Sequence, residues 1–133
     1  KYRISVNNQV YDGDYVIVVA ANGTHYGGGF NPVPEALPND GILDFLLVKK
    51  LSRFVIAKVV NKYREGRYRE IMKYFTRLSG RALELTSEKP VAVNVDGEVY
   101  FEKNVLITLS DKKILFGLPA GAASVIRKKK AFA

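Results

Sequence analysis

Short runs of β-branched and aromatic residues, each fenced by turn formers, constrain this chain more than any other feature. Tyr15 to Ala20, Leu43 to Val48 and Val91 to Val95 are all of this kind, with Gly, Pro, Asn and Asp clustered at their ends. They predict strands. Further strands are expected at Tyr2 to Val6, Ala82 to Thr86, Val99 to Glu102, Val105 to Leu109 and Lys113 to Gly117, with hairpin turns at Asp12-Gly13 and Asp96-Gly97. So many closely spaced strands point to a sandwich or a barrel. The expected fold is mainly β, a two-layer antiparallel sandwich with one or two capping helices.

One interruption lies between Leu51 and Leu78. Leu51, Phe54, Val55, Val59 and Tyr63 recur at helical spacing, Gly66 breaks the pattern, and Tyr68, Ile71, Met72 and Phe75 resume it. A helical pair or a broken helix is expected. Its other face carries Arg53, Lys58, Lys62, Arg64, Arg67, Arg69, Lys73 and Arg77. A basic amphipathic surface suits a membrane or a partner domain, and it equally suits the wet side of a helix capping a sandwich.

At 133 residues with 47% hydrophobic side chains, the chain can form one core, so a single domain over 1–133 is expected, ending in a linker and basic tail at 118–133. Cysteine is absent, which removes disulfides, thiolate nucleophiles and cysteine-bound metals. A cytoplasmic setting, peripheral to a membrane, is the expectation. No apolar run approaches the roughly 20 residues of a membrane span. The chain opens at Lys1, directly into a strand-like run, and reads as a piece of a longer polypeptide. Its net charge of +8 favours anionic partners such as phospholipid headgroups, nucleotide phosphates or nucleic acid.

Three turns carry candidate chemistry. The run Gly27-Gly28-Gly29 lets the main chain approach a phosphate and adopt positive φ, although no nucleotide-loop template follows it, and a strand bulge or tight bend would use the same residues. Asp40 sits in Leu37-Pro38-Asn39-Asp40-Gly41-Ile42, where Pro and Gly prevent regular pairing and leave carbonyls free. One carboxylate plus carbonyl oxygens would suit Mg²⁺, and an ordinary Asn-Asp-Gly turn has the same composition. Glu98 leaves the Asp96-Gly97 turn at the rim of a sheet, either as a plain cross-strand acid or as a group that accepts a proton from an alcohol. His25, the only histidine, has no Gly-x-Ser-x-Gly elbow to serve and is read as a loop residue. The sequon Asn22-Gly23-Thr24 is read as coincidental.

Taken in order, Asn22-Gly23, Gly27-Gly28-Gly29-Phe30, Pro34, Asp40-Gly41 and Val95-Asp96-Gly97-Glu98 resemble the C-terminal domain of the diacylglycerol kinase-like lipid kinases, which include bacterial diacylglycerol kinases and sphingosine kinases. The likeness runs from about Gly13 to about Leu118. It implies a β-sandwich, a magnesium site built from the Asp40 side chain and the carbonyls of Leu37 and Ile42, and Glu98 as proton acceptor. It implies that Asp96 fixes the turn or meets the metal network through water. It also implies ATP bound mainly by a separate N-terminal domain, whose Gly-Gly-Asp-Gly-Thr motif does not occur here, with Gly27 and Gly28 near phosphate. The active site would lie between the two domains. The acceptor would be a lipid hydroxyl at the membrane surface, diacylglycerol by default, and the piece alone would transfer no phosphate. Two other readings stay open: a basic oligonucleotide-binding barrel that stacks bases on its eight tyrosines and seven phenylalanines, and a purely structural or dimerisation domain.

Overall fold

A computed structural model describes residues 1–115 and 117. Strands β1 (Tyr2–Val6), β2 (Gln9–Gly13), β6 (Ala82–Val95) and β7 (Glu98–Thr108) form one sheet in the order β2-β1-β6-β7. Strands β3 (Tyr15–Ala21), β4 (Leu43–Lys49) and β5 (Phe75–Gly80) form a second, in the order β3-β4-β5. All recorded pairings are antiparallel. Between β4 and β5 lie helix α1 (Arg53–Arg64) and a 3₁₀ helix (Tyr68–Tyr74), with Gly66 separating them at φ +74°. The expected sandwich is present as two open sheets rather than a closed barrel.

β4 explains the layering. Six of its seven residues are buried, because Leu43, Phe45 and Leu47 point into one apolar cluster and Leu46 and Val48 into another. The first cluster joins the two sheets through Ile4, Val6, Leu83 and Leu85. The second joins the three-stranded sheet to the helices through Val59, Tyr63, Tyr68, Ile71 and Phe75. A strand covered on both faces must be apolar throughout, which is why Leu43 to Val48 is nearly continuous rather than alternating.

Asp44 is the exception within that run. It is 3% exposed, and its Oδ1 accepts from Arg77 Nη2 at 2.6 Å and from Ser79 Oγ at 3.0 Å. Arg77, expected on a basic helical face, stands instead on β5, a strand hidden within the apparent helical repeat. Phe75 continues the helical spacing by coincidence and opens that strand.

Other expectations shift. Asp12-Gly13 is not a hairpin turn: both residues end β2, and the turn is Asn7-Asn8, whose φ values of +51° and +64° suit a two-residue hairpin between Val6 and Gln9. Ala82–Thr86 and Val91–Val95 fuse into β6, and the two expected strands opposite them into β7. The fusion works through a bulge in which Ser87 to Pro90 face Lys103 alone. Pro90, which cannot donate to a ladder, is accommodated in the bulge, and Ser87 Oγ donates to the Lys89 carbonyl at 2.7 Å. Lys113–Gly117 forms no strand at its described residues. The expected linker and tail lie outside the described residues.

Candidate functional site

Residues 22–42 connect β3 to β4, and their ends meet where Ala21 pairs with Asp44. A long connection that starts and finishes at one end of a packed strand pair is a common carrier of function. Both the glycine run and Asp40 belong to it.

Gly27, Gly28 and Gly29 have φ of +31°, +67° and +84°, and form a tight excursion closed by Tyr26 N–H to Phe30 O at 2.9 Å and Phe30 N–H to Tyr26 O at 3.0 Å. A Cβ added at any of the three would meet nothing within 4 Å, so backbone conformation rather than space calls for glycine. An aromatic stack anchors the loop. Tyr26 stacks on Phe30, Phe30 meets Tyr63, and Tyr63 stacks on Phe75 in the core, with centroids 5.8 to 6.0 Å apart. Tyr26 and Tyr63 share a 2.6 Å hydroxyl contact, and burial first, then that contact, pushes the Tyr63 phenol well above its ordinary pKa.

The Asp40 loop is held from three sides. Asp40 Oδ1 accepts from the Ile42 N–H at 3.1 Å, Gly41 turns at φ +83°, and the Gly41 carbonyl accepts from Arg81 Nη1 at 3.3 Å. Nearby, Glu35 ties the connection to the helical layer through Tyr68 Oη at 3.1 Å and Arg69 Nη2 at 2.9 Å. Among the described residues, no hydrogen bond ends on the Leu37 or Ile42 carbonyl or on the second Asp40 oxygen. No three His, Cys, Asp or Glu side chains converge there either, so a cation would need main-chain oxygen. A free carboxylate oxygen and two free carbonyls are hard donors that fit Mg²⁺ with retained water.

Glu98 opens β7 at the tip of the β6–β7 ribbon. Asp96 and Gly97 make the turn with φ of +50° and +102°, and Asn94 Oδ1 caps it by accepting the Gly97 N–H at 3.0 Å. Glu98 Oε2 accepts a short hydrogen bond from Tyr100 Oη, two residues along and on the same face. That bond chiefly raises the Tyr100 pKa. β1 pairs with β6 only as far as Ser87, so beyond the bulge the ribbon has two strands and leaves Val95, Val99, Tyr100 and Phe101 exposed.

The sequence-predicted residues therefore form two groups. Gly27, Gly28, Leu37, Asp40 and Ile42 share one connection. Asp96 and Glu98 lie at the far end of β6 from Arg81, the residue that grips Gly41, and the strand between them has a contour of roughly 45 Å at its usual rise. No hydrogen bond or ion pair among the described residues links the groups. A shallow depression of about 430 Å³ lined by Asp12, Asp14, Tyr15, Lys49 and Lys50 includes none of them. Arg81, Tyr100 and Asn94 were not anticipated. Alternation along a strand puts Tyr100 beside Glu98, whereas the grip of Arg81 on Gly41 depends on tertiary contact alone.

Comparison with known proteins bears on the family and the fold. Residues 1–114 match a family model described as the YegS C-terminal NAD kinase beta sandwich-like domain. A Stenotrophomonas maltophilia protein named "Probable lipid kinase YegS-like" is 30% identical over 119 residues, covering 90% of this chain and 38% of that protein. A solved structure described as "a putative diacylglycerol kinase" from Bacillus anthracis superposes with a TM-score of 0.64 at 23% identity, over 81% of this chain and 35% of that one. The chain thus spans little more than a third of the length of either.

Proposed function

The chain belongs to the YegS C-terminal NAD kinase beta sandwich-like domain family, and from that premise we propose that it is the C-terminal half of an ATP-dependent lipid kinase. The acceptor is a lipid hydroxyl, with diacylglycerol the first candidate. ATP is held mainly by an N-terminal domain of the same polypeptide, and the enzyme works in the cytoplasm at the membrane surface. The observation that carries this reading is the Glu98 carboxylate, capped into place by a turn and steadied by Tyr100, within the stretch that matches the family.

In this mechanism Glu98 orients the acceptor hydroxyl and takes its proton as the acceptor oxygen bonds to the γ-phosphorus. The bond from that phosphorus to the bridging oxygen breaks, and ADP leaves with the bridging oxygen. The transition state asks mainly for positioning and charge stabilisation. Tyr100 fixes the carboxylate direction, and Asp96, in the left-handed region, sets the turn from which Glu98 departs. Asp40, with the carbonyls of Leu37 and Ile42, would hold Mg²⁺, which when bound would brace the connection between β3 and β4. Gly27 and Gly28 bring amides towards phosphate. The chain alone supplies the acceptor side and the metal loop, so by itself it transfers no phosphate.

The test is ATP-dependent phosphorylation of diacylglycerol in mixed micelles, comparing this chain, the parent polypeptide, and the parent carrying Glu98→Gln. Activity confined to the unaltered parent supports the reading. An inactive parent, an unchanged rate in Glu98→Gln, or robust turnover by the chain alone overturns it.

A further inference from the structure

We propose that the outward face of α1 is a docking surface for an anionic lipid bilayer. This deepens the lipid kinase reading and rests on it, since a lipid acceptor must be met where it resides.

The segment 49–64 contains Lys49, Lys50, Arg53, Lys58, Lys62 and Arg64 and no acidic residue. Lys62 alone is matched by a carboxylate, Glu70 at 2.9 Å; the other five make no ion pair among the described residues. Elsewhere each described arginine is paired, Arg3 with Asp12, Arg67 with Glu65, Arg69 with Glu35, Arg77 with Asp44 and Arg81 with Asp111, whereas Lys73, Lys89, Lys103, Lys112 and Lys113 make no ion pair among the described residues but are dispersed along the chain. With five unpaired cations and no acid in its sixteen residues, 49–64 is the densest run of unpartnered positive charge among the described residues.

Apolar side chains stand among those charges. Val55, Val59 and Tyr63 pack inward, whereas Phe54 is 84% exposed. At about 100° per residue, Phe54 lies roughly 140° around the helix from Val59 and points away from the body of the domain. Ile56 and Val60 are exposed on the opposite flank. A helix whose only task was to cap a sheet would gain nothing from a phenylalanine in water.

The helix start makes the same case. The first turn has no acid, Ser52 makes no capping side-chain bond, and Arg53 occupies the end where the helix dipole disfavours a cation. That choice lowers helix stability, so the charge serves something outside the helix. Interfacial helices combine these features: cations for the headgroups and an aromatic or aliphatic set for the acyl boundary. Single-stranded nucleic acid would want several exposed rings as a stacking platform. This face offers one ring and two aliphatic chains, a composition that favours lipid.

Co-sedimentation of the chain with vesicles of phosphatidylcholine plus phosphatidylglycerol, against phosphatidylcholine alone, tests the proposal. Retention should need the anionic lipid and fall with salt. It should drop about tenfold or more in Arg53→Ser/Lys58→Ser, since each surface charge contributes about fivefold to binding. It should drop severalfold in Phe54→Ser, with circular dichroism unchanged because all three side chains are exposed. No retention on mixed vesicles overturns the proposal. So does equal retention of both variants, or a loss in the variants that appears only with a single-stranded oligonucleotide. The assay reads neither ATP nor turnover, so its failure would leave the role of Glu98 standing, and an inactive parent would leave vesicle binding interpretable.

Discussion

The two acidic turns contrast in how they are supported. The Asp40 loop rises directly from a strand buried on both faces and is gripped by Arg81, while Glu35 fastens the same connection to the helices. The Asp96-Gly97-Glu98 turn stands at the end of a two-stranded arm that has lost β1 as a neighbour, and its order depends on local contacts from Asn94 and Tyr100. A metal loop needs fixed ligands, and a rigid base supplies them. A proton acceptor that must meet a substrate carried by another domain can stand on an arm, provided its own turn is stiff.

This contrast yields graded expectations. The largest effect should come from Glu98→Gln in the parent polypeptide, which should cut lipid phosphorylation by about a hundredfold or more, as expected for a lost general base, while leaving the melting midpoint unchanged. A large shift in melting would mean that the arm is part of the stable body. Next, Asp44→Ala should destabilise the chain by about 3 to 5 kcal/mol in urea unfolding, because it strands the Arg77 guanidinium in a half-buried site. Arg77 Nε is already buried without a partner, so the remaining carboxylate contacts matter more.

Asn94→Ala should cost about 1 kcal/mol through loss of one exposed turn bond, and should lower the parent's rate by freeing Glu98. An unchanged rate would show that Tyr100 alone orients the carboxylate. Arg81→Ala should barely alter stability but should weaken Mg²⁺ binding in a titration calorimeter, since Gly41 loses its tether.

Smallest of all is Glu70→Gln. The hydrogen bond from Lys62 holds the Glu70 carboxyl below its usual 4.5. The pair therefore contributes above that pH, and the contribution fades as pH falls through the lower folded value. The small difference in urea midpoint between wild type and variant should accordingly vanish in acid. The contrast with Asp44 measures what burial adds to an ion pair.

Much of the fold was legible because its strands are short and apolar with turn residues at their ends. β5 was hidden because Phe75 extends a helical spacing by chance, and the spacing does not reveal that Arg77 faces Asp44. The Asn7-Asn8 turn was missed because Asp12-Gly13 is the stronger hairpin dipeptide, although the chain crosses between sheets there. An acid inside Leu43 to Val48 was itself a sign of a buried partner. On the candidate site, the turns could be read residue by residue. Their separation along β6 could not, since the bulge that fuses two expected strands leaves only Pro90 as a clue.

β4 has one more consequence. Its odd and even residues each complete a different apolar cluster, so neither cluster retains a wall if the strand departs. The helical layer and the four-stranded sheet are therefore melting partners: a probe at Tyr63 and a probe at Tyr11 should report one and the same transition, although the two residues never meet.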